Sequence, residues 1–402
     1  MFMEMQMHTI ADTRQLSLDG IITPDQARII ETRAREAMVG MAINTLLCAG
    51  ILAATFGTIF WLASAPAVAL FGTGLLAAGL VILAKGGDVY RMFGNAAALI
   101  GAGMLIGGAG LELVDKYHDI AAGVMIPSGA LVAAIAGRAL MLGGLTTRFV
   151  QGAIFMMGVA LHLAGIGVLV EQLPIGGWWM ALVYGYTAVI LAFAGWLTDV
   201  RLVTAFALIP FAQMLDTGTE YFHAVYVFMS PEPTLSILHL SALLMAMVWI
   251  GASVEERTAR HARILATMAF VVANLCALVG SLWGDVVGQT LWGPGRSWHS
   301  DLSYEAYAAQ QDAFMATALV ISPAVYSILW ALALVAIVAW AAHGNRRALF
   351  NTGVTFAALH AYTQMFESFA DEPLAYVIGG FGAIPLAWGM WRINRWLANR
   401  AA

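Results

Sequence analysis

The sequence predicts an all-α protein, a polytopic transmembrane helix bundle of about 12 spans with both termini cytoplasmic. Three observations predict it: an apolar composition, apolar windows of span length along the whole chain, and the placement of Lys and Arg. Of 402 residues, 61% are hydrophobic and 11% charged, where soluble proteins average roughly half and a quarter. The mean hydropathy of +0.80 is spread along the chain, which excludes a water-soluble globule and makes lipid the solvent for most of it.

Two domains follow. Residues 1–37 read as a cytoplasmic amphipathic helical hairpin, and residues 38–402 as the transmembrane bundle, with its longest outer loop at 289–313. In the hairpin, Asp19-Gly20 breaks the first helix. Thr23 caps the second, Pro24 suits its first position and Gln26 completes a capping box. Ala27, Ile30 and Ala34 share one side of that helix while Arg28, Glu31 and Arg35 face away. The first apolar run begins near Met38, behind Arg14, Arg28, Arg33 and Arg35 and without a small-residue cleavage site, so no cleaved signal peptide is expected.

A span needs ~20 mostly apolar residues. Such windows fall at 39–62, 66–84, 92–113, 119–137, 150–170, 177–198, 202–222, 234–253, 264–288, 314–342, 348–368 and 374–391. With the N-terminus inside, every Lys and Arg except Lys116 and Arg296 lies on the cytoplasmic side, as the positive-inside rule requires. The acids gather on the opposite side. Trp61, Trp178, Trp179, Trp292, Trp298, Trp388, Trp391 and Trp396 stand at or beside span ends, where the indole prefers the headgroup layer. Gly103 and Gly107 form a G-x-x-x-G in the third span, which permits close helix packing. Pro210 and Pro323 are expected to bend spans seven and ten. Halves 39–198 and 202–391 show no repeat beyond equal span counts.

The N-terminal segment carries a resemblance. Leu18-Asp19-Gly20-Ile21-Ile22-Thr23-Pro24-Asp25-Gln26-Ala27-Arg28-Ile29-Ile30 resembles the opening of a bacterial family of multi-spanning membrane proteins of unknown function, with its pattern Leu-x-Gly-Ile-Ile-x-x-x-Gln-Ala-x-x-Ile. Beyond this segment the match is a hydrophobic bundle with a basic tail. The resemblance implies a multi-pass protein of the cell inner (plasma) membrane and supplies no catalytic residues. This chain carries no extended soluble insertion on which an activity would sit.

Candidate site residues follow from the cost of polar groups at membrane depth, on the order of 2.5–3.5 kcal/mol each on insertion scales. Acids stand near the outer ends of odd-numbered spans: Glu112 and Asp115, Glu171, Asp216 and Glu220, Asp285, and Glu367. Taken singly, each reads as an interfacial carboxylate reached by water. Spacing sharpens two groups. Asp216, Glu220 and His223 stand at i, i+4 and i+7, one stripe of the seventh span; His360, Gln364 and Glu367 repeat that spacing in the eleventh. His162, His239 and Glu112 are accessory candidates. Carboxylate plus imidazole suits a proton or small cation, and equally Zn²⁺, Mn²⁺ or Fe²⁺, so neither metal nor cofactor is assigned. Glu220-x-x-His223 has di-iron spacing but lacks the second such pair that bundle chemistry needs. Interhelical hydrogen bonding without transport remains the alternative for all of these, and is the expected role of Asn44, Asn95, Asn274 and Asn351.

Other classes lose support. The chain has no Walker A, H-E-x-x-H, G-x-S-x-G or C-x-x-C sequence, and Cys48 and Cys276 both sit inside apolar runs. The basic loops are short and explained by topology, so nucleic acid is not an expected partner. The expectation is a proton- or cation-coupled small-solute transporter or channel-like protein with an acidic, His-bearing outer vestibule. The alternative is a non-catalytic scaffold or sensor whose partner docks on the N-terminal hairpin or on loop 289–313. An intramembrane enzyme acting on a lipid-borne substrate ranks third.

Overall fold

The computed structural model describes residues 13–35, 64–85, 88–142, 148–173, 178–215, 220–222, 225–227, 232–294, 303–344 and 346–369, with isolated positions besides. It divides into two compact units, His8–Trp179 and Met180–Ala402.

The first unit opens with α1 (Thr13–Leu18) and α2 (residues 24–35), joined through Gly20 at φ +71°. The capping box forms in both directions: Gln26 N–H donates to Thr23 Oγ1 at 3.2 Å and Thr23 N–H to Gln26 Oε1 at 2.9 Å. Thr13 Oγ1 donates to Glu31 at 2.7 Å and ties the two helices together. Of the expected apolar face, Ala27 is buried while Ile30 is exposed.

Four long helices follow: α3 (Ala65–Lys85), α4 (Asp88–Lys116), α5 (His118–Leu142) and α6 (Arg148–Gln172). They pair as two hairpins, α3 on α4 and α5 on α6, with α4 also packing on α6. Glycines let the paired backbones touch. A Cβ on Gly72 would lie 2.6 Å from Leu105 N, and one on Gly101 would lie 2.2 Å from Leu76 N. The second hairpin repeats these contacts residue for residue at an offset of 57, from 72 to 129 and from 101 to 158: a Cβ on Gly129 would meet His162 N, and one on Gly158 would meet Ala133 N. Gly108 against Ala69 recurs as Gly165 against Ile126. The two hairpins are an internal repeat. Close approach in α4 thus runs through Gly101 and Gly108, seven residues apart, and extends to Gly72 and Gly79 of α3.

The second unit contains α7 (Trp178–Thr198), α8 (Arg201–Phe206), α9 (Leu208–Gln213), β1 (Glu220–Phe222), β2 (Val225–Val227), α10 (Pro233–Ser253), α11 (Glu256–Trp283), β3 (Asp285–Val286), α12 (Tyr304–Thr317), β4 (Val320–Ile321), α13 (Pro323–His343) and α14 (Arg347–Phe369). Helix α11 is its centre: α8, α9, α10, α13 and α14 all pack on it, and half of its span is buried. One core joins Leu208, Leu240, Ala269 and Cys276; another joins Ala277, Trp330, Leu334 and Phe356.

Eight described helices are long and apolar enough to cross a membrane: α3, residues 94–116 of α4, α5, α6, α7, α10, α11 and α13. The protein is therefore a polytopic, all-helical membrane protein in its spanning part. Their outward faces carry large apolar side chains, such as Leu70, Val189 and Val335, as contact with lipid demands.

Two expected windows take a different form. The seventh breaks at Ala207 and ends as helix at Gln213. Pro210 has no N–H to donate to Phe206 four residues back, so the helix divides there instead of bending. Beyond it, Glu220–Phe222 pairs antiparallel with Val225–Val227, in a segment rich in aromatic and β-branched residues. In the tenth window, 314–342, the chain leaves α12 at Thr317, forms β4 and starts α13 at Pro323. Pro323 opens a helix, where its missing N–H costs nothing, and does not bend one. Windows 39–62 and 374–391 fall largely outside the described residues. Window 348–368 is helix α14, which is not among the eight.

Candidate polar site at the helix ends around α11

Of the expected stripe on span seven, only Glu220 falls among the described residues, in strand β1. Asp216 and His223 lie outside the described residues. The second stripe is helical: His360, Gln364 and Glu367 all stand on α14, with Glu367 exposed and the other two half-buried. The described part of span seven packs on α10 and α11, and α14 packs on α13 and α11, so α11 is their common neighbour.

The accessory candidates scatter. Glu112 pairs with Lys116 at 3.0 Å one turn along α4. His162 Nδ1 donates to Ile126 O at 2.9 Å and ties α6 to α5. His239 stacks on Phe211 of α9 with ring centroids 4.1 Å apart. Among the described residues, no group of three His, Cys, Asp or Glu is placed to hold a metal ion.

The polar site that the fold does build lies where α10 begins, α11 ends and α13 begins. All three ends are fixed locally. Pro233 and Pro323 occupy first-turn positions of α10 and α13. Gly284, at φ +73°, stops α11 in a conformation that glycine adopts without strain. The next two residues, Asp285 and Val286, pair with Ile321 and Val320, which holds the end of α11 beside the start of α13.

Two buried carboxyls sit in this junction, Glu232 at 3% exposure and Asp285 at 5%. Glu232 is satisfied on both oxygens: Gly288 N–H donates to Oε1 at 2.6 Å and Thr290 N–H to Oε2 at 2.9 Å. Asp285 is satisfied on one. Its Oδ2 accepts from Thr234 N–H at 2.9 Å and from the Tyr326 hydroxyl at 3.1 Å, and Thr234 Oγ1 in turn pairs with the Tyr326 hydroxyl. Its Oδ1 is buried with no hydrogen-bond partner among the described residues.

Deeper in the unit, one turn along α13 from Tyr326, a second polar layer appears. Trp330 Nε1 donates to Asn274 Oδ1 at 3.0 Å, and Asn274 Nδ2 donates to Phe270 O at 2.8 Å. The His360 ring meets the Trp330 ring edge-on at 4.7 Å. His360 Nδ1 and Gln364 Nε2 are buried without a hydrogen-bond partner among the described residues. The expected His360 thus meets Trp330, which in turn holds Asn274, a neighbourhood that spacing along one helix does not reveal.

A separate network closes the opposite end of α11. Asp199, at φ +59°, terminates α7: Val200 N–H reaches back to Gly195 O at 2.9 Å and Asp199 N–H to Trp196 O at 3.3 Å, the Schellman pattern. Asp199 accepts from His261 Nε2 at 3.1 Å and from Arg260 at 3.3 Å. His261, 4% exposed, pairs at Nδ1 with Thr204 Oγ1 at 2.6 Å. Arg257 donates to Trp196 O and Leu197 O at 2.6 and 2.8 Å and lies over the Trp196 ring, neutralising carbonyls left open by the end of α7. Burial acts to raise the Asp199 carboxyl, but the His261 hydrogen bond and the Arg260 and Arg257 charges outweigh it and hold the carboxyl below the ordinary carboxylate range. These bonds join α7, α8 and α11, so the network reads as a clasp between them.

Sequence reasoning placed Asp285 only as a single interfacial acid and passed over Glu232, Tyr326, Thr234, Asp199 and His261. Glu232-Pro233-Thr234 does carry a signal: an acid, a proline and a threonine immediately ahead of an apolar run mark a helix start. Compared with protein-family models, curated proteins and solved structures, the chain matches none.

Proposed function

We propose that this polytopic protein resides in the cell inner membrane with twelve spans and both termini cytoplasmic, and couples movement of a small solute to a proton or other small cation. The observation that carries the reading is Asp285: a carboxyl 5% exposed, with one oxygen unpartnered among the described residues, at a junction where three helices end. Interrupted helices around polar groups are the usual architecture of transporter binding sites, and an ionisable group retained at such cost is a functional candidate. Under the positive-inside orientation this junction faces outward, the side on which the sequence places most acids. The layer of Asn274, Trp330, His360 and Gln364 then continues the polar path inward, with Asp216, Glu220, His223 and Glu367 as further outer groups.

The test is flux. The full chain in proteoliposomes, with a pH-sensitive dye inside, is expected to move protons when a small-solute panel of amino acids, sugars and organic acids is added, and Asp285→Asn is expected to abolish that movement. Identical dye traces for the wild type and for empty liposomes across the panel and across sodium and potassium gradients would overturn the reading.

A second reading has its own observation. Leu18, Ile21, Ile29 and Ile30 are exposed on the N-terminal hairpin, Leu18 at 81%, which suits docking of a partner protein and a scaffold or sensor role. A partner that copurifies with the full chain and is lost on deleting residues 1–37 would favour it.

A further inference from the structure

We propose that the species bound at Asp285 is a proton, carried on Oδ1, and that Tyr326 and Thr234 are positioning residues that hold the carboxyl in the orientation that receives it. The proposal deepens the transport reading and rests on it for its role, while proton binding itself is measurable without transport.

The two buried carboxyls separate by their hydrogen bonds. Both oxygens of Glu232 accept backbone N–H groups from the turn at Gly288 and Thr290. Both oxygens are thereby committed to the turn, and Glu232 works as a structural clasp. Asp285 commits only Oδ2, to Thr234 N–H and to Tyr326. The hydroxyls order into a chain: Thr234 Oγ1 donates to Tyr326 Oη, which donates to Asp285 Oδ2. That chain assigns Oδ2 as the acceptor and leaves Oδ1 to carry a hydrogen.

Coordination number then selects the ligand. Metal cations of the Mg²⁺ or Ca²⁺ kind take roughly six to eight oxygen ligands. Among the described residues the junction offers one carboxylate oxygen without a hydrogen-bond partner, Asp285 Oδ1, because both oxygens of Glu232 are engaged. A proton needs a single atom. It also removes the cost of an unpaired buried anionic oxygen, far larger than that of an unpaired neutral hydroxyl. Among the described residues, the titratable groups at the junction with Asp285 are Glu232 at the start of α10 and Tyr326 on α13, and the α10 N-terminus meets it through Thr234 N–H. Asp285 also pairs with Ile321 in the β3–β4 ladder, so its charge bears on the ends of α10, α11 and α13 together.

The experiment is infrared difference spectroscopy of the full chain in lipid nanodiscs, recorded between neutral and acidic pH. Wild type is expected to show a carboxylic-acid carbonyl band that is lost in Asp285→Asn and kept in Glu232→Gln. Asp285→Glu, which retains an acid should Asn disturb folding, is expected to keep a titrating band at a displaced frequency. Persistence of every titrating band in a folded Asp285→Asn protein would overturn the proposal. So would displacement of the Asp285 band by sodium, potassium or magnesium at constant pH, since the site would then take a metal cation. A band that behaves as expected, in a protein that moves no protons in liposomes, sinks the transport reading and leaves the proton site standing.

Discussion

The two units solve the same problem, holding helices together without water to drive them, by opposite means. In His8–Trp179 the helices meet backbone to backbone, through Gly72, Gly79, Gly101 and Gly108 in one hairpin and Gly129, Gly158 and Gly165 in its repeat. Among its described residues the long-range side-chain bonds include Thr13 to Glu31, His162 to Ile126 O and Gln172 to His118 O. In Met180–Ala402 the helices are tied by side-chain polar networks at both ends of α11, built on Asp199, His261 and Thr204 at one end and on the buried Glu232, Asp285 and Tyr326 at the other. Dispersion between small residues is insensitive to pH and ligand, whereas carboxyl and imidazole networks respond to both. The difference places the pH-responsive groups named here in the second unit and glycine-mediated backbone packing in the first.

The largest effect should come from breaking the glycine contacts. Gly101→Leu places a side chain where a Cβ already lies 2.2 Å from Leu76 N, and is expected to eliminate the folded protein on size-exclusion chromatography in detergent. Gly101→Ala and Gly158→Ala should each cost ~1–3 kcal/mol in reversible unfolding, and by similar amounts, because the two positions correspond in the repeat. Gly123, whose Cβ would meet nothing within 4 Å, is the control: Gly123→Ala should be neutral or stabilising by up to ~1 kcal/mol. Equal losses at Gly123 and Gly101 would erase the contrast between the units.

Next comes the polar junction. Glu232→Ala leaves the Gly288 and Thr290 amides without their acceptor and is expected to destabilise the second unit by ~3 kcal/mol. Trp330→Phe removes the donor to Asn274 and should cost ~1–2 kcal/mol in the same assay, by leaving a buried amide oxygen unsatisfied. Losses within error for both would mean that polar networks do not hold this unit.

The smallest effect is the dependence on acid at the α7–α11 clasp. The Asp199 carboxyl is held below its ordinary range in the folded protein, so its stabilising contribution is present above the unfolded carboxylate range and disappears as pH falls through the lower folded value. Thermal stability measured from neutral pH down to about pH 3, near the unperturbed Asp range, should fall less steeply in Asp199→Asn than in wild type. Parallel curves would remove Asp199 from the electrostatics of the clasp.

Much of the bundle is legible in order. Spans corresponding to α3, α4, α5, α6, α7 and α10 appear in the sequence within a few residues of their observed ends, because a run of ~20 apolar residues is a local property that lipid reads directly, whereas α11 begins eight residues before its window, in the charged turn from Glu256 to Arg263. The N-terminal turn is legible for the same reason, since Thr23 and Gln26 cap their own helix. The repeat is present in the sequence too, with Gly86-Gly87 and Arg91 recurring as Gly143-Gly144 and Arg148 beside the packing glycines. Comparison of the chain's halves misses it because the repeating element is a single hairpin. The seventh window misleads because hydropathy alone does not separate a helix from an apolar β pair, and Pro210 and the aromatic, β-branched run from Tyr221 to Val227 are the features that do.

The solvent, the helical class and the approximate ends of most spans each depend on residues adjacent in the chain, so local order alone fixes them. Which polar groups meet was decided only by the tertiary structure. Glu232 finds its donors 56 and 58 residues away, and Tyr326 reaches Asp285 across 41. A carboxyl is costly or harmless according to whether such distant groups fold back to satisfy it.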